Sequence, residues 1–270
     1  MKSWLRITVL LLAVALVAGT AFAQEVSFKD PTGDDKGPGA YVYPTDKVYK
    51  AGSFDLTELK VKVSGDKATF SVSVGSALED PWGMGVGFAT QMVFVFVDTD
   101  AKEGSGFTKG LPGLNVAFAP ADAWDTVVIL SPQPQQRVVS ETETKAGWAK
   151  AAVLVPTRTR GAGRTISGAV PLKDLGEGDP AKWGYQVVVQ SNEGFPDKAD
   201  LLTRKVNEFE GQHRFGGGTD GDCDPHVMDV LAGKGTGDAS EVEEQKKALA
   251  YECEADGTPK RTATLPMVRK

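Results

Sequence analysis

The densest chemistry in the 270-residue sequence is one run, Asp30-Pro31-Thr32-Gly33-Asp34-Asp35-Lys36-Gly37-Pro38-Gly39-Ala40-Tyr41-Val42-Tyr43-Pro44. Asp30, Asp34 and Asp35 sit among glycines that let the backbone curl its carbonyls and acids around a hard cation. Calcium takes about six to eight oxygens from flexible loops of this kind. A second acidic pair, Asp98 and Asp100 in Val97-Asp98-Thr99-Asp100, is expected to join that site. The spacing is not that of an EF-hand, and Asp/Gly turns also form without any ion, through local Asx hydrogen bonds. A structural calcium at Asp30, Asp34, Asp35, Asp98 and Asp100 is the resulting expectation.

Tyr41 and Tyr43 follow the acidic loop, Trp82 sits in Asp80-Pro81-Trp82-Gly83, and Trp124 lies between Asp122 and Asp125. Loop-borne aromatic rings beside polar groups suit sugars: the ring packs on the apolar face of a pyranose and its neighbours bond the hydroxyls. These four are the expected ligand-binding residues, although each ring could equally belong to a core. Enzyme signatures fail. The chain has no Gly-x-Ser-x-Gly elbow, no His-Glu-x-x-His and no phosphate-binding Gly-x-x-x-x-Gly-Lys loop. His213 and His226 lack metal-ligand spacing, and catalysis is not expected.

Composition narrows the classes further. Thirty basic against 36 acidic residues give a net charge of −6, which argues against a nucleic-acid partner. Two His and two Cys cannot build a multi-histidine or four-cysteine metal centre. Lys2 and Arg6, the apolar run Val9 to Ala18, and Thr20-Ala21-Phe22-Ala23 have the order of a secretory signal peptide cleaved before Gln24. Its core is too short for a membrane span. Residues 24–270 are then expected as a single exported domain, in the periplasm, at the cell surface or outside the cell. In such an oxidising compartment Cys223 and Cys253 are expected to form a disulfide.

The elements that must position these residues read as short strands between Gly/Pro/Asp turns. Ala68 to Val74 alternates apolar and polar, the period of a half-buried strand, while Gln91 to Val97 is continuously apolar, as for a strand covered on both faces. Further strands are expected at Phe54–Val63, Asn115–Phe118, Thr126–Leu130, Arg137–Glu141, Ala151–Val155, Thr165–Val170, Tyr185–Gln190 and Thr262–Met267. One helix is expected near the C-terminus, capped by Asp238 or Ser240 and running to about Tyr251. Glu243 and Lys247 would pair on it, and Val242, Leu249 and Cys253 would face inward. The pattern predicts an all-β sandwich with one short C-terminal helix.

The acidic run and a series of later blocks resemble the glucodextranase C-terminal domain family. The blocks are Gly52-Ser53-Phe54-Asp55-Leu56, Pro81-Trp82-Gly83, Gly87-Phe88, Val97-Asp98-Thr99-Asp100, Pro112-Gly113-Leu114-Asn115, Trp124, Arg214-Phe215-Gly216-Gly217-Gly218 and Asp224-Pro225-His226-Val227-Met228-Asp229. In order, they span Phe28 to about Tyr251. That family is similar to the DOMON-like sandwiches and the family nine carbohydrate-binding modules. The resemblance implies a non-catalytic β-sandwich that binds a polysaccharide or cell-envelope glycan, with structural calcium. The Cys223–Cys253 pair is not part of the family pattern, and neither is the absence of an accompanying catalytic module. The same superfamily offers two other expectations. One is a haem b electron carrier, for which Met84, Met92, His213, His226 and Met228 supply ligand types. The other is a structural envelope protein whose acidic surface meets a protein partner.

Overall fold

The computed structural model describes residues 24–176 and 178–270. The secretory leader expected at residues 1–23 lies outside the described residues. In chain order the strands are β1 (Gln24–Lys29), β2 (Leu56–Ser64), β3 (Lys67–Val74), β4 (Gln91–Asp98), β5 (Val116–Phe118), β6 (Thr126–Leu130) and β7 (Val153–Leu154). They continue as β8 (Thr159–Ala162), β9 (Thr165–Pro171), β10 (Gly184–Ser191), β11 (Asp229–Val230), β12 (Glu252–Cys253), β13 (Pro259–Arg261) and β14 (Ala263–Leu265). Two helices interrupt them, α1 (Gln135–Lys145) and α2 (Glu241–Ala248).

Ten strands form two five-stranded sheets, in the orders β1-β2-β3-β9-β8 and β11-β10-β4-β6-β7. All pairs are antiparallel except β6 with β7. The first sheet is one-sided. Ala68, Phe70, Val72 and Val74 of β3 are buried while the residues between them reach the surface, as their alternation predicts. Ala68, Phe70 and Val72 meet Val93, Val95 and Val97 of β4, Val128 of β6 and Val187 of β10 in one core.

The second sheet is covered on both faces, so every residue of β4 and β10 is buried. Its far face, with Phe94, Phe96, Ile129 and Val188, packs under Leu111, Val116, Val138, Leu249 and Leu265. The parallel pair β5–β14 contributes to this cover. Fully burying one such side chain contributes about 1.5–3 kcal/mol. The two cores hold the second sheet rigid, and that sheet carries the loops described below.

Two expectations need correction. Residues Arg137–Glu141 are helical within α1, not a strand. Val138 and Val139 favour a strand locally, but Val138 and Thr142 are the buried pair, spaced one helical turn apart. The C-terminal helix is therefore not alone, and it is shorter than the run to Tyr251. Ser240 supplies no side-chain cap, because its hydroxyl bonds Asp238. Glu243 pairs with Lys246 at 2.6 Å instead of Lys247, which pairs with Glu244.

Glu241 and Gln245 form the buried face of α2. Glu241 accepts the amides of Lys234, Thr236 and Gly237, and this bonding holds its carboxyl below the usual range against the opposing effect of burial. Gln245 donates to the Asp34 carbonyl and accepts from the Val230 amide. A polar helix face thus locks two loops. The disulfide is present: Cys223 and Cys253 lie 30 residues apart, with Cα atoms at 5.6 Å, and tie the loop before β11 to β12.

Candidate functional site

The acidic residues separate into two groups. In the first, Asp30 just after β1, Asp34 in the following turn and Asp229 in β11 bring carboxylate oxygens within 4.8 Å of one another, and all three are buried. Asp30 Oδ1 accepts the Ala232 amide at 3.1 Å, and Asp229 Oδ2 and Oδ1 accept the amides of Leu56 and Val230. Asp30 Oδ2 and both carboxylate oxygens of Asp34 have no hydrogen-bond partner.

Burial, followed by the charge of Asp34, pushes the Asp30 carboxyl up to about 9. Burial lifts Asp34 to about 7, and burial with the charge of Asp30 raises Asp229 well above the carboxylate range. Three such groups must hold protons or share a cation, and an all-oxygen donor set suits a hard divalent ion. Asp229 was missed from sequence because the fold alone brings it to Asp30.

Asp35 does not belong to this group; it accepts the hydroxyl of Tyr43. Asp98 and Asp100 do not join it either. Asp98 pairs with Gly184 at one end of β10, whereas Asp229 pairs with Val189 towards the other. At ~3.4 Å per residue those positions are roughly 17 Å apart. Asp98 and Asp100 instead cluster with Asp125. There the Arg269 guanidinium bonds Asp98 and, at 2.7 Å, Asp122, so a side chain of the protein already supplies positive charge.

The aromatic residues also separate. Trp124 is wholly buried between Phe96, Phe107 and Trp148, and its indole donates to the Lys109 carbonyl at 3.0 Å. Tyr41 is buried and donates to the Pro225 carbonyl at 2.7 Å. Both rings are thus packed inside the protein, Tyr41 at 2% and Trp124 at 0% exposure, unlike the loop-borne faces expected of them. Tyr43 is half-buried, edge-on to Phe54 and Phe215, with its oxygen accepting the Phe54 amide. Trp82 remains, 38% exposed.

Trp82 lines a cleft of about 530 Å³ at one end of the second sheet. The register sets this location: Ser191 of β10 faces Gln91 of β4, and Leu130 of β6 faces Val93, so three strands release their loops together. The loop before β4 carries Trp82. Asp80 organises that loop by accepting the amides of Met84 and Gly85, both at 2.7 Å, around a turn in which Gly83 takes φ +64°. The loop after β6 carries Gln133 and leads into α1 with Arg137. The loop after β10 carries Asn192, Glu193 and Phe195, and Phe195 is 95% exposed.

A chain of hydrogen bonds braces the cleft. Arg137 donates to Gln133 Oε1, Gln133 to Asn192 Oδ1 and Asn192 to the Ala89 carbonyl, each at 3.0 Å. Arg204 pairs with Glu193 at 2.8 Å and lies 6.0 Å from the centre of the Tyr49 ring, which meets Trp82 edge-on. Two aromatic faces, amides and guanidinium groups thus converge on one concavity. Phe195 was legible in principle, since a phenylalanine in the turn Gly194-Phe195-Pro196 has no strand neighbours to cover it.

The haem-ligand types do not form a set. Met92 and Met228 lie in different cores, on opposite faces of the second sheet. His226 is buried and accepts the Val206 amide through Nδ1. Met84 and His213 both line the cleft, but its arginines, glutamate and amides are unlike the largely apolar slot that a porphyrin plane needs. Among the described residues no helix is long and apolar enough to cross a membrane.

Residues 26–268 match the family model Glucodextran_C, described as the C-terminal binding-module, SLH-like, of glucodextranase. No curated protein matches the chain.

Proposed function

The chain belongs to this family of binding modules, and on that premise we propose that the cleft carrying Trp82 and Phe195 is its carbohydrate-binding site. The protein is a non-catalytic module that binds a polysaccharide or cell-envelope glycan. The observation that carries the location is the pairing of two exposed aromatic rings with polar groups already held in place by the protein. The rings supply the apolar contact for a pyranose face, and the braced amides and guanidinium groups select among hydroxyl patterns without paying for their own ordering. Binding is the whole of the mechanism.

The two sheets are read as a single β-sandwich domain exported from the cytoplasm, with the cleft on its rim. Calcium at Asp30, Asp34 and Asp229 would neutralise three buried charges and fasten the first loop to β11. The orphaned oxygens of Asp30 and Asp34 support that reading. Gels cast with α-glucans or extracted wall polysaccharides test the glycan reading: the wild type should be retarded and Trp82→Ala should not. Free migration of the wild type through every polymer would remove the reading's support.

A further inference from the structure

The amide and carboxylate acceptors around the cleft are engaged, whereas its guanidinium groups keep N–H donors to spare, even with Arg204 also donating to the His213 carbonyl. Gln133 Oε1 and the Gly194 carbonyl accept from Arg137, and Asn192 Oδ1 accepts from Gln133. Both carboxylate oxygens of Glu193 are occupied, one by the Phe195 amide at 2.9 Å and one by Arg204. A guanidinium carries five N–H donors. Arg137 uses two of its nitrogens on these carbonyls, and the buried Nε of Arg204 has no partner. Glu193 balances Arg204, while Arg137 has no carboxylate partner among the described residues. A cleft on a protein of net charge −6 therefore presents an excess of N–H donors and one uncompensated positive charge.

Resting on the carbohydrate reading of this cleft, we propose that it selects sugars bearing a carboxylate, that is, uronic-acid residues, over neutral ones. A planar carboxylate accepts two parallel N–H groups from the guanidinium fork, a geometry that a hydroxyl cannot match. The ring of the same sugar rests against Trp82 or Phe195. Selection is local, because the acidic surface as a whole repels polyanions.

Short oligosaccharides test this without polymer charge effects. Titrations of the protein with trigalacturonate and with its methyl ester, at low salt and one fixed calcium concentration, compare the same sugar with and without charge. The acid should bind at least tenfold more tightly. Arg137→Gln should abolish that preference, the acid's affinity falling about tenfold more than the ester's, and Arg137→Lys should retain part of it. Thermal melts establish that both variants are folded.

Equal affinity of the two trisaccharides overturns the proposal, and so does an equal loss for both ligands in Arg137→Gln, which would mark Arg137 as only a brace for the Gly194 carbonyl. Binding of a sulfated maltotriose as tight as that of trigalacturonate overturns the carboxylate preference in favour of bare charge. If the ester binds as well as the acid and Trp82→Ala removes both, the carbohydrate site stands while the charge selection falls. If neither trisaccharide binds and no α-glucan or wall polysaccharide retards the protein, the carbohydrate reading falls with it.

Discussion

The carboxylates of Asp30 and Asp229 lie within 4.8 Å of each other, together with that of Asp34, although one follows the first strand and the other opens β11. Burial and mutual repulsion make this arrangement costly for the metal-free protein, and a bound cation converts the repulsion into attraction. Calcium at about 100 times its Kd should add about 2.7 kcal/mol of stability, or roughly 5–10 °C in melting temperature for a chain of this size. Asp34→Asn is the informative variant, since its carboxylate oxygens make no hydrogen bonds to lose. It should melt at or above the chelated wild type and respond little to calcium. A wild-type melting temperature indifferent to calcium and chelator would contradict the cation site.

Acid should weaken the fold through His226. Its ring is buried beside Asp224 and Asp222, with Lys205 and Asp197 also acting on it, and burial is the dominant effect, holding the imidazole below its ordinary range. The neutral ring accepts the Val206 amide, which an imidazolium cannot do. The folded state disfavours the proton, whereas the unfolded chain takes it near pH ~6.5. This stability is therefore present above that pH and lost as the pH falls below it, by at most about 1.4 kcal/mol per pH unit. Urea unfolding at pH 7.5 and 5.5 should show a larger drop for the wild type than for His226→Asn. An identical drop in both would exclude His226 as the cause.

The disulfide should matter to stability and not to binding. A closed loop of 30 residues corresponds to very roughly 3 kcal/mol in the chain-entropy model. Cys223→Ser/Cys253→Ser should unfold at lower denaturant by about that amount, as should the reduced wild type. A pair of coincident denaturation curves would show that the bridge is energetically idle.

Trp124 and Trp82 show where sequence reasoning succeeds and where it stops. Both are loop tryptophans flanked by Asp and were expected to share one surface. Their separation depends on Phe96, Phe107 and Trp148 closing over Trp124, contacts between distant segments that no local pattern records. By contrast, the alternation in β3 and the unbroken apolar run of β4 reported their burial directly, because strand periodicity is a local signature of which faces are covered. α1 misled because valines favour strands, while its helical spacing rests on one buried pair. Arg137 comes from α1, Phe195 and Arg204 from the connection after β10, and Trp82 from the loop before β4, and only the register of β4, β6 and β10 assembles them.

Trp124→Ala should accordingly cost about 3–5 kcal/mol of stability by leaving a cavity. Trp124→Phe should be milder and should leave glycan affinity unchanged. A specific loss of affinity in a stable Trp124→Phe protein would return that residue to the binding surface.

Glycan binding at the cleft rests on Trp82 and Phe195. Trp148 provides the control, since it is 41% exposed but does not line the cleft. The most direct measurement is the affinity of wild type, Trp82→Ala, Phe195→Ala and Trp148→Ala for a retarding polysaccharide, by titration calorimetry. Trp82→Ala and Phe195→Ala should each weaken binding at least tenfold, about 1.4 kcal/mol, while Trp148→Ala binds as the wild type does. Undiminished binding in both cleft variants, or a loss confined to Trp148→Ala, would contradict the assignment.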